Sequence, residues 1–371
     1  MRARAAFIHR LPARAPDDVA ELSAAMASGV IDASGIVAIL GKTEGNGCVN
    51  DFTRAFAVRA LKDALAAHLP REAVDKVSLV MSGGTEGGLA PHWLVLGREP
   101  AETAGAKPAL AVGGAHTPPL AAEGLGRRAQ VEMVAAGVQA AIRDAGIEDP
   151  DDVHFVQIKC PLLTAERIGE ARKRGADVAT RDTLKSMGLS RGAAALGVAC
   201  ALGEIDPEAV DDDTIGRDVS LYSARASTSA GVELLNHEIV VLGMSPRWSG
   251  PLAIDHAVMA DGIDIEPVRS ALRRLGFAAD GQLAPEERPG LVALLAKAEA
   301  GTSGRLRGKR HTMLDDSDIA STRHARAFVA GALAGLVGHA EIFVSGGAEH
   351  QGPDGGGPVA VIADRSKGTR S

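Results

Sequence analysis

The chain has 371 residues, enough for two or three structural units and a sizeable hydrophobic core. Aromatic residues make up only 3% of it and the formal net charge is −7, which argues against a nucleic-acid stacking platform and against a general phosphate-binding surface. Three cysteines without metal-ligand spacing indicate reduced thiols, and no apolar run reaches membrane-helix length, so we expect a cytoplasmic protein with a small-molecule partner and neither nucleic acid nor membrane as partner.

The first predicted unit, residues 1–102, places a lysine, an arginine and a serine at the ends of its strands and helix, in that order. An apolar strand ends at Lys42, Arg54 opens an alanine-rich helix, and another apolar strand ends at Ser82-Gly83. A serine followed by small residues offers a hydroxyl and uncovered backbone N–H groups to a ligand. This order is typical of a ligand-binding half-site.

The second predicted unit, residues 109–250, repeats the order with one departure. A strand ends at Lys159, Arg191 opens an alanine-rich helix, and Ser229 follows a strand-like run over 219–222. A longer polar stretch separates that run from its serine than in the first unit. This copy is therefore the most divergent of the three.

The third predicted unit, residues 252–371, completes the set. Lys309 follows a basic, glycine-containing loop, Arg323 opens a helix, and a short apolar strand ends at Ser345-Gly346. Neighbouring arginines crowd this lysine, so its assignment rests on order alone. In a single copy, the serine-glycine stretch is more typical of a turn, the lysine of a solvated charge, and the serine or threonine before the helix of an N-cap. The recurrence of all three in one order favours a ligand-binding site.

Three lysines, arginines and serines around one axis predict a ring of donors for a ligand with acceptors on three sides. Lysine loses its proton readily when other cations crowd it, so a neutral lysine beside a serine hydroxyl is a base and nucleophile pair. Backbone N–H groups beside the small residues can hold the developing oxyanion. The divergent second copy, Ser229 with Lys159, is the predicted reactive pair.

Other sites receive weaker support. The chain carries no HExxH zinc pattern and no phosphate-binding glycine loop of the usual order. Glu299 and the loop over 348–356 could together offer a carboxylate and carbonyls to a hard cation, although taken alone such a loop is more typical of a plain turn.

The motifs GKTEGNG, NDFTR, SGGTEG and VSGGAEHQGPDGGGPVAVIA resemble those of the cyanuric acid amidohydrolase and barbiturase family, over essentially the whole chain. The resemblance implies an α/β fold of three similar units with pseudo-threefold symmetry, a central barrel-like β core and helices outside. It also implies a homotetramer that opens cyanuric acid to carboxybiuret, which loses carbon dioxide to give biuret.

The resemblance also implies site residues. Ser229 is the implied nucleophile and Lys159 its base. The implied substrate-binding residues are Lys42, Arg54, Ser82, Gly83, Arg191, Ala230, Lys309, Arg323, Ser345 and Gly346. No catalytic cofactor is expected, and the implied ligands of a structural Mg²⁺ or Ca²⁺ are Glu299, Ala348, Gln351, Gly352, Pro353 and Gly356.

Two alternatives remain open at this stage. A barbiturase would have the same fold and the same Ser-Lys pair but would hydrolyse barbituric acid to ureidomalonate. A non-catalytic oligomer would use the threefold ring only to bind a small ligand. Turnover distinguishes the second alternative from both enzymes.

Overall fold

The computed structural model describes residues 3–103, 105 and 107–367, in a mixed α/β fold. Met1 and Ser371, the outer bounds of the predicted units, lie outside the described residues. The helices are α1 (Ala20–Ala27), α2 (Phe52–Ala66), α3 (Arg71–Val74), α4 (Arg128–Ala145), α5 (Ala165–Lys173), α6 (Thr183–Ala201), α7 (Glu266–Arg274) and α8 (Ser321–Val337). The strands are β1 (Arg4–Pro12), β2 (Ile36–Thr43), β3 (Ser78–Gly83), β4 (His92–Pro100), β5 (Ala109–His116), β6 (Val153–Pro161), β7 (Ala226–Gly231), β8 (Glu238–Ser245), β9 (Trp248–Ser249), β10 (Leu252–Met259), β11 (Leu291–Ala298), β12 (Arg305–Leu306), β13 (Lys309–Arg310), β14 (Phe343–Gly346) and β15 (Gly357–Asp364).

Three sheets of this fold share one strand order. Their orders are β3-β2-β4-β1, with β9 added at the end, then β7-β6-β8-β5 and β14-β11-β15-β10. In each sheet the first two strands are parallel and the next two neighbour pairs are antiparallel. A parallel pair requires a crossover connection, which α2, α6 and α8 supply in turn. Among helices in the described residues, none is long and apolar enough to cross a membrane.

The sheets face a shared apolar core. Leu40, Ile158 and Leu295, one from each of the three central strands β2, β6 and β11, belong to the same buried cluster. Their neighbours Ile39 and Leu294 belong instead to outer clusters shared with helices. Strand side chains alternate between faces, so each sheet has one inner face and one helix-covered face. The expected placement of helices outside the sheets is thus observed.

The expected barrel is not a closed hydrogen-bonded barrel. Hydrogen bonds join the described strands into separate sheets, and β3, β7 and β14 are edge strands. A side chain from outside the sheet binds one N–H on each of two of those edges: Glu238 Oε2 accepts from the Leu79 N–H at 2.7 Å, and Gln351 Oε1 accepts from the Thr228 N–H at 2.7 Å. Capped edges do not pair with the next sheet, so the centre is a packed core between sheets.

Two local predictions were wrong. The run over 219–222 is not a strand; β7 begins at Ala226, and the polar stretch before Ser229 partly lies within this buried strand. Helix α6 does not open at Arg191 but at Thr183, where the Asp182 side chain caps the helix by accepting from the Lys185 N–H. Arg191 therefore lies in the middle of α6.

Candidate active site

Each of the three sheets places one lysine directly opposite one serine. The parallel pairs β2/β3, β6/β7 and β11/β14 have the same register at this point. The facing residues are Lys42 and Ser82, Lys159 and Ser229, and Lys297 and Ser345. All six are buried, with exposures of 0 to 7%. A lysine is buried at this depth only with partners for its ammonium or with a shifted pKa.

The lysines also connect the three sheets to one another. Each Nζ donates to the backbone carbonyl of the residue that precedes a serine in another sheet. The bonds run from Lys42 to Val344 at 2.8 Å, from Lys159 to Met81 at 2.7 Å, and from Lys297 to Thr228 at 2.9 Å. The cycle brings the three Lys-Ser pairs to one place between the sheets.

The third lysine was assigned incorrectly from the sequence. Lys309 is exposed on the short β12-β13 hairpin and does not join the cluster. Lys297, at the end of β11, occupies the position that Lys42 and Lys159 have in their sheets. The stretch VALLAKA is an apolar strand ending in lysine, so the signal was present in the sequence.

The second pair differs from the other two. Lys42 Nζ lies 3.3 Å from Ser82 Oγ, and Lys297 Nζ lies 3.2 Å from Ser345 Oγ, both as hydrogen bonds. Ser229 Oγ is buried without a hydrogen-bond partner in the described part of the chain. Its hydroxyl is therefore the one of the three that no lysine or other group holds.

The glutamate four residues after each serine also has a different partner in the second pair than in the other two. Glu86 receives two hydrogen bonds of 2.6 Å from Arg326, and Glu349 receives bonds of 2.8 and 2.6 Å from Arg191. Glu233 Oε1 instead lies 2.8 Å from Lys159 Nζ. Neither Glu233 oxygen has a hydrogen bond of good geometry within the described chain, so this contact is a close ion pair.

Arg54 and Arg323 both lie in the first turn of a helix, as expected. Arg54 donates from one terminal nitrogen to Ala230 O at 3.0 Å and from the other to Cys48 O at 2.6 Å. The Nε atoms of Arg54 and Arg323 are buried with no hydrogen-bond partner among the residues described. Arg326, one turn after Arg323, was not predicted; its pairing with Glu86 depends on contact between distant units, which local patterns do not reveal.

Burial and neighbouring cations lower the lysine pKa values. Burial and then Arg191 lower the pKa of Lys297 to about 7, and burial with Arg326 lowers the pKa of Lys42 well below its usual value. Burial also lowers the pKa of Lys159, although the Glu233 carboxylate opposes this effect. The lowered pKa values make the neutral form of these lysines easier to reach, and a lysine must be neutral to act as a base.

The small residues after the serines are required by space. A Cβ on Gly83 would overlap the Asp51 carboxylate, and one on Gly346 would lie 2.8 Å from a terminal nitrogen of Arg326. The corresponding position after Ser229 is Ala230, which is buried. The bare backbone at these positions lets charged groups approach the serines closely.

Four of the six predicted metal ligands line one cavity, and Gln351 and Gly356 do not line it. The Glu299 oxygens accept from the N–H groups of Ala300 and Ala348, each at 3.0 Å, and no ion pair reaches this carboxylate within the described chain. Burial and the nearby Glu349 raise the pKa of Glu299. A cavity of about 290 Å³ is lined by Glu299 and by the loop residues Ala348, Glu349, Gly352, Pro353 and Gly355, among others.

This donor set suits a hard cation, which takes carboxylate and carbonyl oxygens. Only the backbone carbonyl of Gln351 is available for such a role, because its side chain is occupied: Oε1 accepts from Thr228 and Nε2 donates to Gly347 O at 3.2 Å. The residues thus fit a Mg²⁺ or Ca²⁺ site whose single side-chain ligand is Glu299.

The model of the amidohydrolase ring-opening protein family matches residues 7–364, and the chain belongs to that family. The resemblance found in the sequence is thereby confirmed, and the chain is a hydrolase, so the non-catalytic alternative is not supported.

Curated relatives and solved structures agree with this assignment. The chain is 63% identical to a cyanuric acid amidohydrolase of Bradyrhizobium sp. strain ORS 375, over 98% of this chain and 99% of that protein. It is also 63% identical to one of Azorhizobium caulinodans, with the same coverage. The crystal structure of a cyanuric acid hydrolase from A. caulinodans, 62% identical, superposes with a TM-score of 0.92 over 98% of this chain and 99% of that one.

Proposed function

We propose that this hydrolase opens the ring of cyanuric acid to carboxybiuret, which then loses carbon dioxide to give biuret. The observation that carries the proposal is the meeting of three Lys-Ser pairs, in identical register, at one point between three sheets. Cyanuric acid alternates three carbonyls with three ring nitrogens, so its symmetry matches that of the donors. The names of the curated relatives support the same substrate.

We propose further that three units, with predicted bounds 1–102, 109–250 and 252–371, are related by pseudo-threefold symmetry. The common strand order, the common Lys-Ser register and the cyclic lysine-to-carbonyl bonds support this relation. An axis through the lysine ring would also pass through the centre of a bound triazine ring.

In the proposed first step, neutral Lys159 takes the proton of Ser229 as the serine Oγ attacks a ring carbonyl. The Oγ–C bond forms, the carbonyl oxygen becomes an oxyanion, and the adjacent C–N bond then breaks as Lys159 returns the proton to the leaving nitrogen. Glu233 stabilises the ammonium that forms on Lys159, as the third member of a nucleophile-base-orienter set does.

In the second step, water attacks the acyl group on Ser229. Lys159 accepts a proton from the water, the Oγ–C bond breaks, and the proton returns to Ser229. The product is the ring-opened acid. The contact of Glu233 with Lys159, which the other two pairs lack, supports Ser229 as the nucleophile.

The other two pairs hold the substrate in this proposal. Lys42 with Ser82 and Lys297 with Ser345 donate to the two carbonyls that are not attacked, and the buried guanidinium nitrogen of Arg54 adds positive charge. A cationic ring also binds a deprotonated imide better than a neutral one, so the enzyme should select the substrate's anion.

We propose that Glu299 and the backbone carbonyls of the loop after Ser345 hold a structural Mg²⁺ or Ca²⁺. Bound there, the ion would neutralise a buried carboxylate and fix that loop. Treatment with a chelator is expected to lower the melting temperature by several degrees, with recovery on adding Mg²⁺ or Ca²⁺. An unchanged melting temperature in the chelator-treated chain, together with no bound metal by elemental analysis, would contradict this site.

We propose the homotetramer from the resemblance alone, and the cytoplasmic location from the cysteines and the apolar run lengths of the sequence. Light scattering of the purified chain tests the oligomer, and a mass other than four chains would contradict it.

Parallel incubation with cyanuric and barbituric acid tests the activity. Loss of cyanuric acid with formation of biuret and carbon dioxide, abolished in Ser229→Ala, is the expected result. Turnover of barbituric acid alone would keep the fold and move the chain to the barbiturase activity.

A further inference from the structure

A cluster outside the active site has the composition and spacing of a metal centre. His154 lies at the start of β6, and Asp255 and His256 are adjacent residues of β10. One possible ligand atom from each lies within 4.8 Å of the other two. All three side chains are partly buried, at the contact between the second and third sheets.

The distances suit a small tetrahedral ion. The Nδ1 atoms of the two histidines are 3.0 Å apart, and Asp255 Oδ1 lies 3.6 Å from His154 Nδ1. Ligands at the Zn–N and Zn–O bond lengths found in proteins stand about 3.3 Å apart around a tetrahedral ion. Two of the three separations are therefore within a few tenths of an ångström of that value, and the third is below 4.8 Å.

The histidine pair also has the required lone pairs. An N···N hydrogen bond between two imidazoles needs one unprotonated Nδ1, and the proton between the two rings is the one an ion would replace. The rings meet edge to face, with centroids 5.0 Å apart and planes at 74°, so neither ring blocks the other's nitrogen.

The carboxylate is oriented by a neighbour. Arg274 Nε donates to Asp255 Oδ2 at 2.5 Å and a terminal nitrogen donates to His256 O at 3.2 Å. Asp255 Oδ1 accepts from the His256 backbone N–H at 2.7 Å and lies 3.6 Å from His154 Nδ1. Ligating carboxylates are commonly held in this way by a second group. The guanidinium also adds positive charge beside the site, which reduces affinity for any cation.

We propose that His154, Asp255 and His256 form a binding site for a borderline divalent transition ion such as Zn²⁺, linking the second and third sheets. Two imidazoles and one carboxylate favour such an ion over Mg²⁺ or Ca²⁺, which prefer oxygen ligands. The site is distinct from the oxygen-rich set around Glu299, because no residue is shared. Because β6 carries both His154 and Lys159, a bound ion would also stabilise the position of the strand that holds the proposed base.

The test uses the full chain, freed of metal by a chelator and kept in excess Mg²⁺ so that any oxygen-ligand site is filled. Titration with Zn²⁺ is expected to show about one tight equivalent per chain and a rise in melting temperature. Co²⁺ in place of Zn²⁺ is expected to give the visible absorption of a tetrahedral complex.

Three variants decide the assignment. His256→Gln and Asp255→Asn are each expected to weaken Zn²⁺ binding by at least about 10-fold. His68→Gln, at an exposed histidine, is the matched control and is expected to bind like the parent chain. Equal Zn²⁺ binding by the parent and either site variant, or no Zn²⁺ binding by the parent, would overturn the proposal. Asp255→Asn keeps the side-chain size, so it decides the question should His256→Gln fail to fold.

Discussion

All three Lys-Ser pairs have the same strand register, but the charged groups around the second pair differ from those around the other two. In the first and third pairs the glutamate after the serine is bound by an arginine, and the lysine is free to bind the serine hydroxyl. In the second pair Glu233 approaches Lys159, and Ser229 has no partner within the described residues. One change of carboxylate partner thus distinguishes the proposed reactive pair from the two proposed binding pairs.

Under the proposed function, this difference would direct the attack to one of the three equivalent carbonyl carbons of the ring. Three equivalent pairs would bind the ring equally well in three places, and none would be committed to attack. In the first and third pairs the glutamate is bound by an arginine, whereas the Glu233 carboxylate lies beside Lys159 and can stabilise the ammonium that forms when this lysine takes a proton.

The largest expected effect comes from removing the serines one at a time. Ser229→Ala is expected to lower kcat by about 10⁴-fold or more, because the nucleophile is lost. Ser82→Ala and Ser345→Ala each remove one donor to a carbonyl and are expected to cost about 10- to 100-fold in kcat/KM. Steady-state kinetics on biuret formation measures all three; equal losses would remove the distinction between the pairs.

The next effect separates the two candidates for the third lysine. Lys297→Met removes a buried donor and is expected to lower kcat/KM by about 100-fold, the range for hydrogen bonds to charged groups. Lys309→Met, at an exposed position, is expected to change kcat/KM by less than about twofold. A large loss in Lys309→Met with native circular dichroism would instead restore the assignment made from the sequence.

The pH profile tests the role of Glu233. Protonated Lys159 cannot accept a proton, so kcat/KM should fall as pH drops through the pKa of this lysine. The Glu233 carboxylate raises that pKa, so Glu233→Gln should move the acidic limb of the profile to lower pH and lower the plateau by about 10-fold.

Glu86→Gln is the matched control, since its carboxylate pairs with Arg326 rather than with Lys159. Its acidic limb should stay at the pH of the parent enzyme. A shift of equal size in both variants would indicate a general change of charge in the pocket rather than a specific contact with the base.

The sequence predicted much of this arrangement. Lys42, Ser82 and Ser345 follow continuous apolar runs, the sequence pattern of strands buried on both faces, whereas Ser229 follows a polar stretch. The order of strands and helices within each predicted unit, and the α/β class, could therefore be predicted from the sequence. The stretches SGGTE, SAGVE and SGGAE each carry a glutamate four residues after the serine, and no role was predicted for these glutamates.

The remainder depended on long-range contacts and on insertions. Lys297 was missed because the segment 299–320 separates β11 from α8, and the nearest lysine before the helix was taken instead. Arg191 was placed at a helix start because a Ser-Arg pair resembles an N-cap, whereas the cap is Asp182. The pairing of Arg326 with Glu86 joins residues from opposite ends of the chain, and no local pattern encodes it.

The most direct test of a single nucleophile is to trap the acyl-enzyme. The enzyme would be mixed with isotopically labelled cyanuric acid, quenched in acid within one turnover, digested and analysed by peptide mass spectrometry. A labelled adduct on the peptide that contains Ser229, and absent from Ser229→Ala, is the predicted result. An adduct on Ser82 or Ser345 would contradict the account, because it would show that a lysine-bound serine attacks the ring.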